Sequence, residues 1–303
     1  MTMPASVTLV GLGEVGQTFA EDLAAAGVRA LRAYDIAFAR PDSAQARAAG
    51  RLGIPACRTA AEAVEGAELV ISAVTAAATV EAAAAVARTP LGGAFFLDLN
   101  SASPGAKQAA AREIEAAGGR YVEAAVMASV PPKRLRTPML LGGPHAVSFM
   151  AVADALGLDA RPFSDAVGGA SSVKMCRSVM IKGMEALAME CLVAARHYGV
   201  EGHVLASLRD TFPNHDWGET ARYMIGRSLQ HGRRRAEEMR EVAKTLAEAG
   251  VTPWMTDGCV ERQDWAAEIG RRLDGPGKEP DLGRLLDAIR AAVQDGRTPV
   301  SST

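Results

Sequence analysis

Two stretches of this 303-residue chain carry residues whose types and spacing could do chemistry. The first is VTLVGLGEVGQTFAEDL, residues 7–23. An apolar run meets Gly11, Gly13 and Gly16, and an amphipathic stretch follows. In a chain with 30 glycines, G-x-G-x-x-G alone reads equally well as a tight strand-to-helix turn. Its surroundings favour a dinucleotide. A strand-like run precedes the loop, a helix opens inside it, and Asp35 closes the next strand-like run, 24 positions after Gly11. Gly11 permits the turn, Gly13 lets backbone approach a pyrophosphate, and Gly16 lets helix pack on strand. Leu12, Glu14 and Val15 complete a loop that offers backbone N–H groups and a helix dipole to phosphates. Asp35 would accept hydrogen bonds from the adenosine ribose and repel a 2′-phosphate, favouring NAD over NADP. Arg32 or Arg40 would serve that phosphate in the NADP case. The bland alternative for Asp35 is a solvated turn carboxylate.

The second stretch is GGASSVKMCRSVMIKG, residues 168–183. Ser171 or Ser172 would cap a long helix after the glycine pair, with Lys174 in its first turn. A helix N-terminus disfavours a cation, so the lysine pKa should fall toward neutrality, as acid–base chemistry requires. Ser178 follows one helical turn later on the same face. The bland alternative is a surface lysine on a solvated face.

The elements that must position these residues divide the chain in two. The first half alternates strand-like and helix-like runs. Strands are expected at SVTLVG, VRALRAYD, AELVISAV, AFFLDLN, RYVEAAVM and TPMLLGG, and helices between the first five. Repeated β-α-β units predict an α/β, Rossmann-type doubly wound parallel sheet with helices on both faces. From about residue 165 strand signals nearly vanish. A long helix opens an all-α half, with further helices over 201–210, 216–230, 231–249, 256–273 and 281–294. The expected domains are 1–165, for a dinucleotide, and 166–303, all-α. The last eight residues, GRTPVSST, read as a frayed tail.

Composition excludes several function classes. Net charge is −2, so no general basic field points to nucleic acid. Four scattered cysteines lack metal-ligand spacing and suit a reducing compartment. The chain opens without a basic, then apolar, leader, and its longest apolar stretch is too short and polar to span a bilayer. A cytoplasmic protein that binds neither metal, membrane nor nucleic acid is expected.

Together these motifs resemble the β-hydroxyacid dehydrogenase superfamily, which includes 3-hydroxyisobutyrate and 6-phosphogluconate dehydrogenases. GLGEVGQTFAEDL resembles the family motif G-x-G-x-M-G-x-x-x-A-x-x-L, with Val15 at the methionine. LVISAVT and FLDLNSASP resemble the strands whose ends approach the nicotinamide, which implies cofactor roles for Val74, Thr75 and Asn100. AVGGASSVKMCRS resembles the stretch that supplies the family's catalytic lysine, and that lysine maps onto Lys174. The resemblance implies hydride transfer between nicotinamide and a substrate carbon, with Lys174 exchanging the hydroxyl proton. It also implies a homodimer through the helical domain, the long helix bridging the two domains.

Departures from the family pattern fall where substrate is read. EAAVMAS stands where members carry D-A-P-V-S-G-G. Glu123 replaces the aspartate, and Met127, Ala128 and Ser129 replace the Ser-Gly-Gly that embraces a substrate carboxylate. Ser178 replaces the asparagine one turn after the lysine. Glu237 and Glu238 replace a Lys-Asp pair and follow Arg233, Arg234 and Arg235. The segment HDWGETARYMIGRSLQHGRRRAEEMREVAKTLAEAGVTPWM resembles a branch with a distinctive C-terminal domain of unassigned function. Within it, Arg233 to Arg235 are candidates for an anionic substrate, against a solvated helix face, and His231 is a candidate substrate residue facing the cleft, against a structural histidine. His215 and Trp217 are candidate pocket residues, and Asp216 a helix cap.

The sequence therefore leads to an NAD(P)-dependent dehydrogenase or reductase acting on an alcohol/carbonyl pair. A 3-hydroxy acid or related polar compound is expected, with aromatic ones admitted by Met127 and Trp217. Imine reduction, oxidative decarboxylation and a non-catalytic nucleotide sensor stay open as alternatives. Related imine reductases often lack the lysine, so Lys174 counts against the first.

Overall fold

The computed structural model describes residues 3–273, 275 and 279–295; the expected tail, 296–303, lies outside them. Seven strands form one sheet: β1 (Ser6–Val10), β2 (Ala30–Tyr34), β3 (Leu69–Ser72), β4 (Phe95–Asp98), β5 (Arg120–Val126), β6 (Met139–Gly142) and β7 (Ala160–Ser164). Their order is β2-β1-β3-β4-β5-β6-β7. Seven helices belong to this part: α1 (Glu14–Ala25), α2 (Ala44–Leu52), α3 (Ala60–Val64), α4 (Thr79–Val86), α5 (Pro104–Ala116), α6 (Val130–Lys133) and α7 (Ala146–Leu156).

Alternate residues of each central strand serve two separate cores. Leu9, Ile71, Leu97 and Val122 pack with Phe19 and Leu23 of α1, Ala48 of α2 and Phe149 of α7. Val10, Val70, Phe96 and Tyr121 pack with Val64 of α3, Val86 of α4 and Ile114 of α5. Burial of both sheet faces explains why these strands read as continuous apolar runs. Ser43, Thr59 and Ser103 cap α2, α3 and α5 with their hydroxyls.

Strands β1 to β5 are parallel, but β6 runs antiparallel to β5, a departure from an all-parallel sheet. Their connection carries only the four-residue α6 and a 3-10 turn, not the full crossover helix that a parallel return requires. Strand β7 was not expected. It is an edge strand with Pro162 in its middle and a largely exposed surface, so it lacks an apolar signature.

Five helices complete the described residues: α8 (Gly169–His197), α9 (Glu201–Thr211), α10 (Trp217–Glu248), α11 (Trp254–Arg271) and α12 (Leu282–Asp295). The border between two compact units falls inside α8, between Cys176 and Arg177. Met189 and Leu192 of α8, Ile225 and Leu229 of α10, Ile269 of α11 and Leu286 of α12 form the core of the second unit. One helix, α10, replaces the two expected over 216–230 and 231–249. Gly232, within it, marks close helix packing. A Cβ there would overlap the Gln263 carbonyl of α11, and one on Gly270 would overlap the Leu229 carbonyl. Among the described residues no helix is long and apolar enough to cross a membrane.

Candidate active site

The glycine loop leaves β1 where the strand order reverses, with β2 on one side and β3 on the other. Open α/β sheets bind ligands at such a switch point, beyond the carboxyl ends of the strands. Gly11 has φ +94°, and a Cβ on it would overlap the carbonyl of Ala73, just after β3. A Cβ on Gly16 would overlap the Gly11 carbonyl, so both glycines are required by packing inside the loop. Gly13 differs, since a Cβ there meets nothing within 4 Å. It is the N-cap of α1 and contributes no side-chain bond to the first turn. Backbone at Gly13 therefore borders open space at a helix N-terminus, the arrangement that suits a phosphate. Leu12 is buried, Val15 half-buried and Glu14 exposed.

Asp35 follows β2 and is tied into the same loop. Its Oδ2 accepts from the Leu12 amide at 2.8 Å, and its Oδ1 accepts from Ala37 N at 2.8 Å. It thus braces the glycine loop while remaining half-exposed. Arg32, the alternative phosphate partner, donates to the Glu65 carbonyl at 3.0 Å, and Arg40 is exposed.

A buried polar network lies under the ends of β3, β4 and β5. Asp98 is 0% exposed and pairs with Lys107, 1% exposed, at 2.8 Å. Tyr121 donates to Asp98 Oδ2 at 2.7 Å. Burial first, then the Asp98 charge, holds the Tyr121 hydroxyl well above its ordinary range, so it stays a donor. The Asn100 amide donates to Asp98 Oδ1, and Asn100 Nδ2 donates to Ser72 Oγ. Asn100 Oδ1 accepts from Val74 N at 2.8 Å, fixing the segment that leads to the exposed Thr75. Sequence reasoning singled out Asn100 as a candidate but not its supports, Asp98, Lys107 and Tyr121. A charge inside the apolar run FFLDLN was the available signal for Asp98; nothing local distinguishes Lys107 from a surface lysine.

Lys174 reaches this edge. Its Nζ donates to Ser101 Oγ at 2.6 Å, beside Asn100. Helix α8 starts at Gly169, so Lys174 is its sixth residue and lies beyond the first turn where it was expected. The expected serine cap is also corrected. Ser171 and Ser172 lie inside the helix and donate their hydroxyls to the Gly168 carbonyl. The helix start is capped by Glu123 of β5, whose Oε2 accepts from Gly168 N at 2.7 Å and Oε1 from Ser171 N at 2.6 Å. A cap from a distant strand carries no local sequence signal. Met127, Ala128 and Ser129 follow the carboxyl end of β5; Met127 is half-buried and the other two exposed.

The remaining candidates belong to the second unit. Ser178 is buried and accepts from Lys182 Nζ at 3.2 Å; Lys182 is also 3.0 Å from Glu238. Of the arginine run, Arg233 and Arg234 are exposed, and Arg234 pairs with Glu238 at 2.9 Å. Arg235 points inward and pairs with Glu185, both nearly fully buried. Burial pushes Glu185 above the usual carboxylate range and draws Arg235 below its own. His231 is half-buried. His215 is exposed, with its ring 4.6 Å from that of Trp217, and Phe212 packs on the same indole at 5.6 Å. Asp216 caps α10 through Glu219 N at 3.0 Å. Among the described residues no His/Cys/Asp/Glu group could hold a metal ion.

Comparison with known proteins supplies the family. Residues 6–163, just over half the chain, match the NAD binding domain of 6-phosphogluconate dehydrogenase. Residues 195–266 match a domain of unknown function, DUF1932. A conserved hypothetical protein from Sinorhizobium meliloti is 34% identical, with 96% of this chain and 97% of that one covered and a TM-score of 0.74. A conserved protein of unknown function, described as structurally similar to 3-hydroxyacid dehydrogenases, is 32% identical over 88% of this chain and 98% of its own, with a TM-score of 0.67. The 3-hydroxyisobutyrate dehydrogenase of Mycobacterium tuberculosis shares the fold at 18% identity, TM-score 0.65, covering 95% and 100%. This chain therefore belongs to the family of the 6-phosphogluconate dehydrogenase NAD-binding domain, joins that domain to an all-helical one, and is an NAD(P)-dependent oxidoreductase of the 3-hydroxyacid dehydrogenase superfamily.

Proposed function

We propose that the chain interconverts an alcohol and its carbonyl partner, with Lys174 as general acid/base. The single observation that carries this reading is the placement of the Lys174 ammonium on Ser101, beside the Asn100–Val74 bond at the carboxyl edge of the sheet. The residues fit a dinucleotide: Gly13 leaves space that any Cβ would fill, at the uncapped start of α1. In this reading Gly11 to Gly16 hold the phosphates, and Asp35 accepts from the ribose with lone pairs not used by Leu12 and Ala37. Val74, Thr75 and Asn100 border the nicotinamide. The bound cofactor supplies or accepts hydride.

As the neutral amine, Lys174 takes the hydroxyl proton at Nζ in oxidation, and as the ammonium it returns that proton to the forming alkoxide in reduction. Ser101 orients that nitrogen and offers a hydroxyl through which the proton can pass. Met127, Ala128, Ser129 and Ser178 make up the substrate contacts in this reading, and His215, Trp217, His231 and Arg235 are the remaining candidates. The inward pairing of Arg235 with Glu185 favours a supporting role for it. The favoured substrate is a 3-hydroxy acid or related polar compound, with aromatic members included. A homodimer through the helical unit is part of the same proposal, and light scattering at assay concentrations tests it.

The experiment is an NADH- and NADPH-linked screen of hydroxy acids and their oxo partners, aromatic ones included. Lys174→Ala should then lower turnover of the best substrate by about 10²–10⁴-fold and leave NADH affinity unchanged. Undiminished turnover would remove Lys174 from its role. NADH binding with no turnover of any substrate by the wild type would favour the nucleotide sensor.

A further inference from the structure

We propose that Glu123 is a positioning residue for Lys174, holding the helix start from which the lysine reaches Ser101. This rests on the reading of Lys174 as proton carrier. Glu123 lies within β5, in register with Asp98 of β4, and is 0% exposed. A buried carboxylate persists only where its oxygens are satisfied. Here both are, by Gly168 N and Ser171 N at the start of α8. The positive end of the helix and the negative carboxylate also attract one another.

The surrounding chain is shaped around this contact. Gly142 is the register partner of Glu123 on β6, and a Cβ there would overlap Glu123 Oε2. Gly168, one of the two donors, has φ +104°, a conformation side chains disfavour. A Cβ on Gly169 would come within 2.5 Å of Ser164 Oγ, so the helix start also lies tight against the end of β7. Ala125 of β5, Leu140 of β6 and Ala170 of α8 form a small buried cluster at the same joint.

Lys174 follows Ser171 by three residues on this anchored turn. Its other end is held by Ser101, three residues beyond Asp98. Two neighbouring strands therefore fix the lysine from both ends. Strand β5 fixes the backbone from which it springs, and the segment after β4 fixes its ammonium. Without the carboxylate, the first donors of α8 lose their acceptors, and the lysine loses the fixed backbone from which it reaches Ser101.

A double-mutant cycle on the full chain, with the substrate found by the linked screen, tests this. The variants are Glu123→Gln, Lys174→Ala and both together, with Gly142→Ala, which crowds Glu123 Oε2 without changing charge. Glu123→Gln should lower kcat on the order of 10- to 100-fold. KM and NADH affinity should stay within about twofold of wild type, and in the Lys174→Ala background the same change should cost less than about twofold. Gly142→Ala should lower kcat in the same direction. An equal loss from Glu123→Gln in both backgrounds overturns the inference, as does an unchanged kcat in both Glu123→Gln and Gly142→Ala. Should Glu123→Gln fail to fold, Glu123→Asp and Gly142→Ala carry the same cycle. Undiminished turnover in Lys174→Ala overturns the reading of the lysine instead, so the two failures are distinct.

Discussion

Gly13 and Gly16 have similar places in the motif and opposite surroundings in the structure, which separates cofactor binding from folding. Gly13 sits at φ −72°, ψ −164°, a conformation alanine adopts, and a Cβ on it meets nothing within 4 Å. Gly13→Ala should leave the fold intact, or stabilise it by about 0.4–1 kcal/mol by restricting the unfolded chain. Only a ligand can meet the new methyl. Pushing a pyrophosphate away forfeits on the order of two backbone bonds to a charged acceptor, each worth about 1.5–3 kcal/mol. A loss of about 3 kcal/mol weakens NADH binding on the order of 100-fold. Gly16→Ala instead forces a methyl into the Gly11 carbonyl and should cost about 1–3 kcal/mol of stability as well as NADH affinity. Calorimetric NADH titration beside thermal melting reads both quantities. Wild-type NADH affinity in a well-folded Gly13→Ala protein would refute the placement of the pyrophosphate at this loop.

Three further outcomes follow from buried groups. Lys107→Met leaves Asp98 charged and unpaired in the sheet core and should cost about 3–5 kcal/mol by denaturant unfolding; a loss under about 1 kcal/mol would contradict the pairing. Arg235→Ala should cost a similar about 3–5 kcal/mol by stranding Glu185, whereas Glu185→Leu with Arg235→Met should be near neutral. An unchanged KM in that double variant would confirm that Arg235 supports the helices, and a large rise would return it to the substrate. Burial pushes the Cys259 thiol up to about 11, so at about pH 8 it is protonated and shielded. A thiol reagent should modify the exposed Cys176 and Cys191 far faster than Cys259, as peptide mass mapping over time would read.

What could be read from the sequence was local, and what could not was made by contacts between distant segments. The glycine loop, the alternating strands and Asp35 are set by nearest neighbours and periodicity, and the loop and Asp35 follow the carboxyl ends of the adjacent strands β1 and β2. Helix α7 was passed over because it carries the exposed Val147 and the half-buried Val152 as well as the buried Phe149 and Leu156, which blurs the helical period. The packing that α10 makes through Gly232, against α11 at Gln263, joins residues 31 positions apart and leaves no local signal. The Ser171/Ser172 cap failed for the same cause, since Glu123 is 45 residues from Gly168. Asp98 and Lys107 are nine residues apart, and their mutual burial is set by the packing of α5 on β4 and β5.

In the proposed mechanism the glycine loop holds the hydride carrier and Lys174 carries the proton. Lys174→Ala tests it most directly, with turnover of the screened substrate and NADH affinity measured on the same preparation. Turnover should fall by about 10²–10⁴-fold with NADH affinity unchanged. Turnover that survives the substitution would contradict the mechanism.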